Sequence, residues 1–177
     1  EVGRGPIAGP VTVCAVCMLY STYKQEQWRG LTDSKQLSEK KRKQWYQKAK
    51  DLELVGVARS AVVSRTARAI DKKGISACIK ECITEALTDL ELDPDDTDIL
   101  LDGSLKAPEI FVHQKTIVKG DQKEKIISLA SVIAKVTRDA YMQNVALQYP
   151  HYYWHNNKGY GTAGHRHAIS QHGSTVL

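Results

Sequence analysis

Residues 11–20 are apolar at almost every position, the pattern of a β-strand covered on both faces. A polar, turn-rich connection follows through residues 30–35. Ser38 ahead of Glu39, Lys40 and Lys41 then predicts a charged helix to about Lys50, with Trp45, Tyr46 and Ala49 on its apolar side. Residues 54–63 read as a second strand, and residues 64–90 as one or two helices broken near Gly74. Past the break at residues 93–96, Ile99, Leu100 and Leu101 make a short buried strand that stops at Asp102 and Gly103. Residues 111–118 make another, closing at Lys119, Gly120 and Asp121. A long helix over residues 124–147 carries Ile126, Ala130, Ile133, Thr137 and Tyr141 at helical spacing, and the Tyr-, His-, Asn- and Gly-rich remainder ends in a short helix near residues 165–171. This order, free of repeats and low-complexity linkers, predicts an α/β domain with a mixed sheet.

Composition narrows the class. The 177 residues, 42% apolar and 25% charged, suit a single domain spanning residues 1–177 with a real core. No apolar run approaches a membrane span and no secretory signal opens the chain, so a cytoplasmic protein without a membrane partner is expected. The balance of 25 Lys and Arg against 20 Asp and Glu, a net +5, suits a polyanionic partner. Four cysteines raise the question of zinc. Cys14 and Cys17 are three apart on a strand and therefore on opposite faces, while Cys78 and Cys82 share the apolar face of a helix with Ile75, Ile79 and Leu87; core packing is the better reading.

Three acidic residues stand at the edges of apolar strands: Glu1 just before Gly3, Asp102 after Leu101, and Asp121 after Gly120. Strand ends in α/β sheets are rigid and open onto clefts, so side chains with function gather there. Carboxylates so gathered repel one another unless a cation sits among them, and hard oxygen ligands suit Mg²⁺ or Mn²⁺. Two such ions support phosphodiester hydrolysis. For any one of these acids, capping a turn is the competing reading.

The words around those acids carry a resemblance. Glu1-Val2-Gly3-Arg4-Gly5-Pro6, Asp33-Ser34-Lys35, Leu101-Asp102-Gly103, Lys119-Gly120-Asp121, the run from Ala130 to Asp139, and Gly159-Tyr160-Gly161-Thr162 occur in this order over residues 1–162. Together they closely resemble the bacterial type of ribonuclease HII. The resemblance implies a ribonuclease H-like fold with a five-stranded mixed central sheet flanked by helices, and a site of four carboxylates with two Mg²⁺ or Mn²⁺ ions; three of the four map onto Glu1, Asp102 and Asp121. It implies an endonuclease acting on RNA–DNA hybrids or DNA duplexes containing ribonucleotides, leaving a 3′-hydroxyl and a 5′-phosphate, as a monomer. In the family an Asp directly precedes the acid matching Glu1 and the chain continues beyond residue 177, so this chain is expected to be trimmed at both ends. As written, a hybrid-binding module with impaired hydrolysis is the alternative. A small-molecule phosphatase would share the acids but needs no duplex surface.

The resemblance also assigns roles. The backbone of Gly3, Arg4 and Gly5 would read ribose 2′-hydroxyls, the groups that distinguish RNA from DNA, and Tyr160 would stack on a sugar at the RNA–DNA junction. A plain turn and a core tyrosine are the competing readings. From spacing alone, Ser128, Ser131, Lys135 and Arg138 form one polar stripe of the long helix that can face phosphates, with Lys35 beside Ser34 as a further backbone contact; Asp139 is placed to pair with Lys135. His165 matches a family word and is assigned a helper role. His113, His151, His155, His167 and His172 read as surface or packing residues.

Overall fold

The computed structural model describes residues 1–23 and 28–175; residues 24–27, inside the expected turn-rich connection, and residues 176–177 lie outside the description. The elements in chain order are β1 (Val11–Met18), α1 (Tyr20–Tyr23), α2 (Glu39–Leu54), β2 (Ala58–Arg65), α3 (Ala67–Lys73), α4 (Ile75–Asp89), β3 (Ile99–Asp102), β4 (Gln114–Ile117), α5 (Gly120–Lys123), α6 (Lys125–Ala146), a 3-10 turn (Pro150–Tyr152), α7 (Trp154–Asn157) and α8 (Ala163–His172). Local chemistry sets several boundaries. Ser38 caps α2 by accepting from the Lys41 N–H, Thr66 caps α3 through Ala69, and Thr162 caps α8 through His165. Gly74 divides α3 from α4 as expected. The helix α2 outruns its expectation to Leu54, which is 85% exposed, so the second strand begins at Ala58.

The strands pair two by two. β1 and β2 are antiparallel, with Val11 opposite Arg65 and Met18 opposite Ala58, whereas β3 and β4 are parallel, with Ile99 opposite Gln114. Among the described residues there are thus four strands in two pairs, where a five-stranded sheet was expected. Among the described residues, the other edge of β1 meets only Val2, in a single antiparallel bridge to Thr12. That ladder stops because Gly3, at φ 113°, turns the chain away, and a β-carbon there would lie 2.5 Å from the Pro10 carbonyl oxygen. A cleft of about 1220 Å³ is lined by residues of both β1 and β3.

Both faces of the β1–β2 pair are covered, which explains the continuous apolar run. One face puts Val11, Val13, Ala61 and Val63 against Cys78, Ile79, Cys82 and Ile83 of α4, together with Ile99 and Leu101 of β3. The other puts Cys14, Val16 and Val62 against Leu129, Val132 and Ile133 of α6, with Trp45 and Ala49 of α2. Cys17 packs with the first cluster and Cys14 with the second, on opposite faces as expected. Burial pushes the Cys14 thiol up to about 12 and the Cys82 thiol up to about 11, which keeps both neutral.

The helix α6 corrects its expected stripe. Ile133 is buried, but Tyr141 is 42% exposed, and the buried set runs from Ile127, Leu129 and Val132 through Ala134 to Met142 and Val145. α6 contacts β1, α2, α5 and α7, so it is enclosed on several sides and no single stripe describes it. A third cluster, with Met142, Val145, Tyr152, Trp154 and Ala168, joins its end to the C-terminal helices. No helix among the described residues is long and apolar enough to cross a membrane.

Candidate active site

The acidic corner is built by a strand end meeting a helix start. Asp102 is the last residue of β3, and its Oδ1 accepts the Gly120 N–H at 2.7 Å. Lys119, in the left-handed conformation at φ 57°, turns the chain into α5 and delivers Asp121 to the same place. The approach is close: a β-carbon on Gly120 would fall 2.7 Å from Ile127 Cδ1 and 3.3 Å from Asp102 Oδ1. Ser128 holds the far side by donating to the backbone carbonyls of Asp121, at 2.7 Å, and Glu124, at 3.0 Å. That serine is fully buried, so it leaves the expected phosphate-facing stripe.

Asp33 is a member of this corner that sequence reasoning missed. It is 6% exposed, accepts the Lys35 N–H at 2.9 Å in a tight turn, and lies close enough to Asp121 to raise that carboxyl's pKa. The Asp121 carboxyl sits above the usual carboxylate range, chiefly because of burial and then because of the negative charges of Asp102 and Asp33; the Lys35 ammonium opposes the shift. Its only sequence signal was the Asp33-Ser34-Lys35 word, and a turn-forming aspartate reads locally as nothing more.

Glu1 lines the same cleft as Asp102 and Asp121, with its carboxylate 3.6 Å from Arg4 Nε. Among the described residues, no three His, Cys, Asp or Glu side chains close into a metal-ligand set. Asp102 and Asp121 still fit a hard divalent cation in donor chemistry, since they are oxygen ligands whose mutual repulsion the Lys35 ammonium offsets only in part.

The rest of the cleft wall gathers the residues expected to read a nucleic acid. Gly3, Arg4 and Gly5 form one side; Ser34, Lys35, Ser131, Lys135 and Tyr160 also line it. The Ser34 and Ser131 hydroxyls bond each other at 2.8 Å and join the Lys35 turn to α6. Arg42 fixes the turn further by donating to the Ser34 carbonyl at 3.0 Å. Tyr160 is 38% exposed, and its ring lies 3.5 Å from where a Gly5 β-carbon would stand, with the Lys135 ammonium 5.7 Å from the ring centroid. Lys135 also pairs with Asp139 at 2.7 Å, the pairing its spacing suggested.

Two expected contact residues face inward instead. Arg138 is 1% exposed and donates to the carbonyls of Pro10, Lys158 and Ala8 at 2.8, 2.9 and 3.0 Å, so its guanidinium has no path to a phosphate. His165, also 1% exposed, accepts from Trp154 Nε1 at 3.0 Å, while its Nδ1 lies 2.9 Å from the Tyr160 carbonyl oxygen. With both ring nitrogens engaged it positions backbone and cannot serve as a helper at the cleft. The remaining five histidines are exposed.

Known proteins share this architecture. The chain is similar to the crystal structure of ribonuclease H2 from Pyrococcus horikoshii OT3, with a TM-score of 0.70 at 26% identity over 99% of this chain and 87% of that one. It also matches the RNase HII chain of a PCNA:RNase HII complex from Archaeoglobus fulgidus, with a TM-score of 0.72 at 23% identity over 97% of this chain and 84% of that one. Fold and acidic strand ends therefore define an α/β protein of the ribonuclease H-like class. The model of the family described as Ribonuclease HII matches residues 1–176. Curated proteins named Ribonuclease HII are 40% identical in Halalkalibacterium halodurans, over 99% of this chain and 62% of that protein, and 40% identical in Aliarcobacter butzleri, over 100% and 84%. The chain belongs to the ribonuclease HII family, and it spans about three fifths of the length of the Halalkalibacterium and Shouchella clausii relatives.

Proposed function

We propose that this chain is a divalent-metal-dependent endonuclease that hydrolyses the RNA strand of RNA–DNA hybrids and cuts 5′ of ribonucleotides embedded in duplex DNA, leaving a 3′-hydroxyl and a 5′-phosphate. One observation carries the reading: Asp102 and Asp121 meet in a corner where burial and then the Asp102 charge raise the Asp121 pKa, in the same cleft that holds Gly5 beside the Tyr160 ring. Glu1, Asp102 and Asp121 would hold Mg²⁺ or Mn²⁺, as two ions in the family's manner. Bound there, such ions lower the pKa of water and neutralise charge that develops on a phosphodiester.

The chain's own groups supply the rest. The Gly120 N–H fixes the Asp102 carboxylate, so one ligand is oriented before anything binds. Gly3, Arg4 and Gly5 present backbone to ribose 2′-hydroxyls, and Tyr160 stacks on the neighbouring sugar. Lys35, exposed on its turn beside Ser34, and Lys135, with Ser131 beneath it, contact the phosphate backbone. Water attacks the phosphorus, the bond to the 3′ oxygen breaks, and that oxygen leaves as the hydroxyl.

The test is cleavage of a DNA duplex carrying one ribonucleotide, with Mg²⁺ or Mn²⁺, using this chain and a version with Asp added ahead of Glu1. Metal-dependent cleavage 5′ of the ribonucleotide by either form supports the reading. Binding without cleavage by both would leave a hybrid-binding module instead.

A further inference from the structure

Two segments outside both sheets meet at one end of the cleft: residues 3–10, which carry Gly5, and residues 157–161, which carry Tyr160. They touch directly, because the Gly159 carbonyl accepts the N–H groups of Ile7 and Ala8 at 2.9 and 3.2 Å. Beneath that contact lies Arg138 of α6. Its Nε and Nη2 hold the Pro10 and Ala8 carbonyls of the first segment, and its Nη1 holds the Lys158 carbonyl of the second. The guanidinium also packs closely under the glycines, 3.0 Å from a β-carbon built on Gly3 and 3.3 Å from one built on Gly9. On the far side of the second segment, His165 Nδ1 meets the Tyr160 carbonyl oxygen and the Asn157 carbonyl accepts the Tyr160 N–H.

A buried guanidinium bound only to backbone carbonyls is a costly way to fill space, because an apolar side chain of similar volume would avoid its desolvation. What it provides is a rigid plane whose donors point in fixed directions; a lysine, with one tetrahedral nitrogen, cannot reproduce that fork. Here the fork spans both chain segments, and those segments carry Gly5 and Tyr160, whose ring lies 3.5 Å from where a Gly5 β-carbon would stand. We propose that Arg138 is a positioning residue that sets the separation of the Gly5 backbone from the Tyr160 ring, and through it the preference for an isolated ribonucleotide over continuous RNA. This rests on the function proposed above. An isolated ribonucleotide offers one 2′-hydroxyl and one junction sugar, so both contacts must be met by one nucleotide; continuous RNA offers neighbouring hydroxyls that tolerate a displaced loop.

The experiment uses the full chain in its cleavage-competent form with Arg138→Lys, and a second variant, Gly159→Ala, that parts the same segments from the other side. At Gly159 the φ is 88° and an added β-carbon would lie 2.2 Å from the Ala8 carbonyl oxygen. Kinetics are measured on a DNA duplex with one ribonucleotide and on a uniform RNA–DNA hybrid, together with amide hydrogen exchange. Both variants are expected to lose about tenfold in kcat/KM on the single-ribonucleotide duplex, mostly through KM, as for a displaced stacking contact. On the hybrid the loss stays under about threefold and the pH profile does not move. Exchange accelerates at Ile7, Ala8 and Tyr160 while β1 stays protected. Equal losses on both substrates, a loss confined to kcat, or general loss of protection in β1 would each overturn the proposal. If the parent chain itself does not distinguish a ribonucleotide-containing duplex from plain DNA, the functional reading fails rather than this one. Exchange in Arg138→Lys then decides: acceleration confined to those three amides upholds the clamp, and unchanged exchange removes it.

Discussion

Charge is taken out of water at two places in this molecule, and the two are treated in opposite ways. Around Arg138 a cation is buried with three carbonyl acceptors at 2.8–3.0 Å, so its donors are satisfied and the corner is finished as it stands. Around Asp121, carboxylates are brought together with the Lys35 ammonium opposing them, and burial first and the neighbouring charges second raise the carboxyl pKa. The first arrangement stabilises a fold; the second is destabilising until something positive arrives. Unsatisfied like charge at a rigid strand end is therefore the better marker of a site than buried charge as such.

The comparison can be broken most decisively at Asp102. Replacing it with Asn keeps the shape and the acceptor for the Gly120 N–H but removes a charge from the acidic corner. The rate of ribonucleotide-directed cleavage at saturating metal should fall by about 10²–10³-fold, the loss typical of one preorganised electrostatic group. Thermal stability without metal should hold or rise. A variant that keeps its rate would show that the corner is not where phosphodiester charge develops.

Arg138→Met tests the finished corner, and its effect belongs to stability. It strands the Pro10, Ala8 and Lys158 carbonyls without donors, and about 3 kcal/mol of unfolding free energy should be lost. Urea denaturation measures it. A loss within 0.5 kcal/mol, the level of an ordinary surface change, would mean that water replaces the guanidinium without cost.

Tyr160→Ala lies between the two corners. The ring is partly exposed and its backbone is held by His165 and Asn157, so removing it should leave the fold intact. Affinity for a ribonucleotide-containing duplex should weaken by about 1–3 kcal/mol, and Phe should restore it because stacking uses the ring face. Fluorescence anisotropy at fixed salt reads the change.

How much of this was legible beforehand follows the same division. The acids at the end of β3 and in the first turn of α5 were visible because a strand that stops at Asp-Gly, or at Lys-Gly-Asp, announces its own end. Ser38 and Gly74 likewise act on their neighbours, so their boundaries could be read. Arg138 and His165 could not. Their spacing on α6 and α8 looks polar, but the Pro10 and Ala8 carbonyls that bury Arg138 come from the far end of the chain, and the indole and carbonyl that engage His165 come from Trp154 and Tyr160, outside its own helix. Asp33 was hidden for the same reason: its bond to Lys35 is local, whereas its neighbour Asp121 is not. The fifth strand was implied by resemblance alone, and the described residues contribute just the Val2–Thr12 bridge at that edge.

The smallest effect, and the most direct reading of the acidic corner, is on stability at Asp121. Its folded pKa is raised above the unfolded value by burial and by Asp102 and Asp33, so the fold holds the proton more tightly than the unfolded chain does. The sign follows: stability is fully present below the ordinary carboxylate pKa and is lost as pH rises through the folded value, where the ionised side chain must sit among its neighbours. Asp121→Asn removes that loss. Near pH 7 and without metal the variant should melt about 2 °C above the parent, a small gain because the side chain is only partly buried and solvent screens its neighbours. Near pH 3 the two should melt together. Adding Mn²⁺ at pH 7 should raise the parent toward the variant and leave the variant nearly unmoved, since a cation relieves repulsion only where the second carboxylate remains. If the variant melts below the parent at every pH, Asp121 is a stabilising hydrogen-bond partner of Asp33, and the contrast between the two corners disappears.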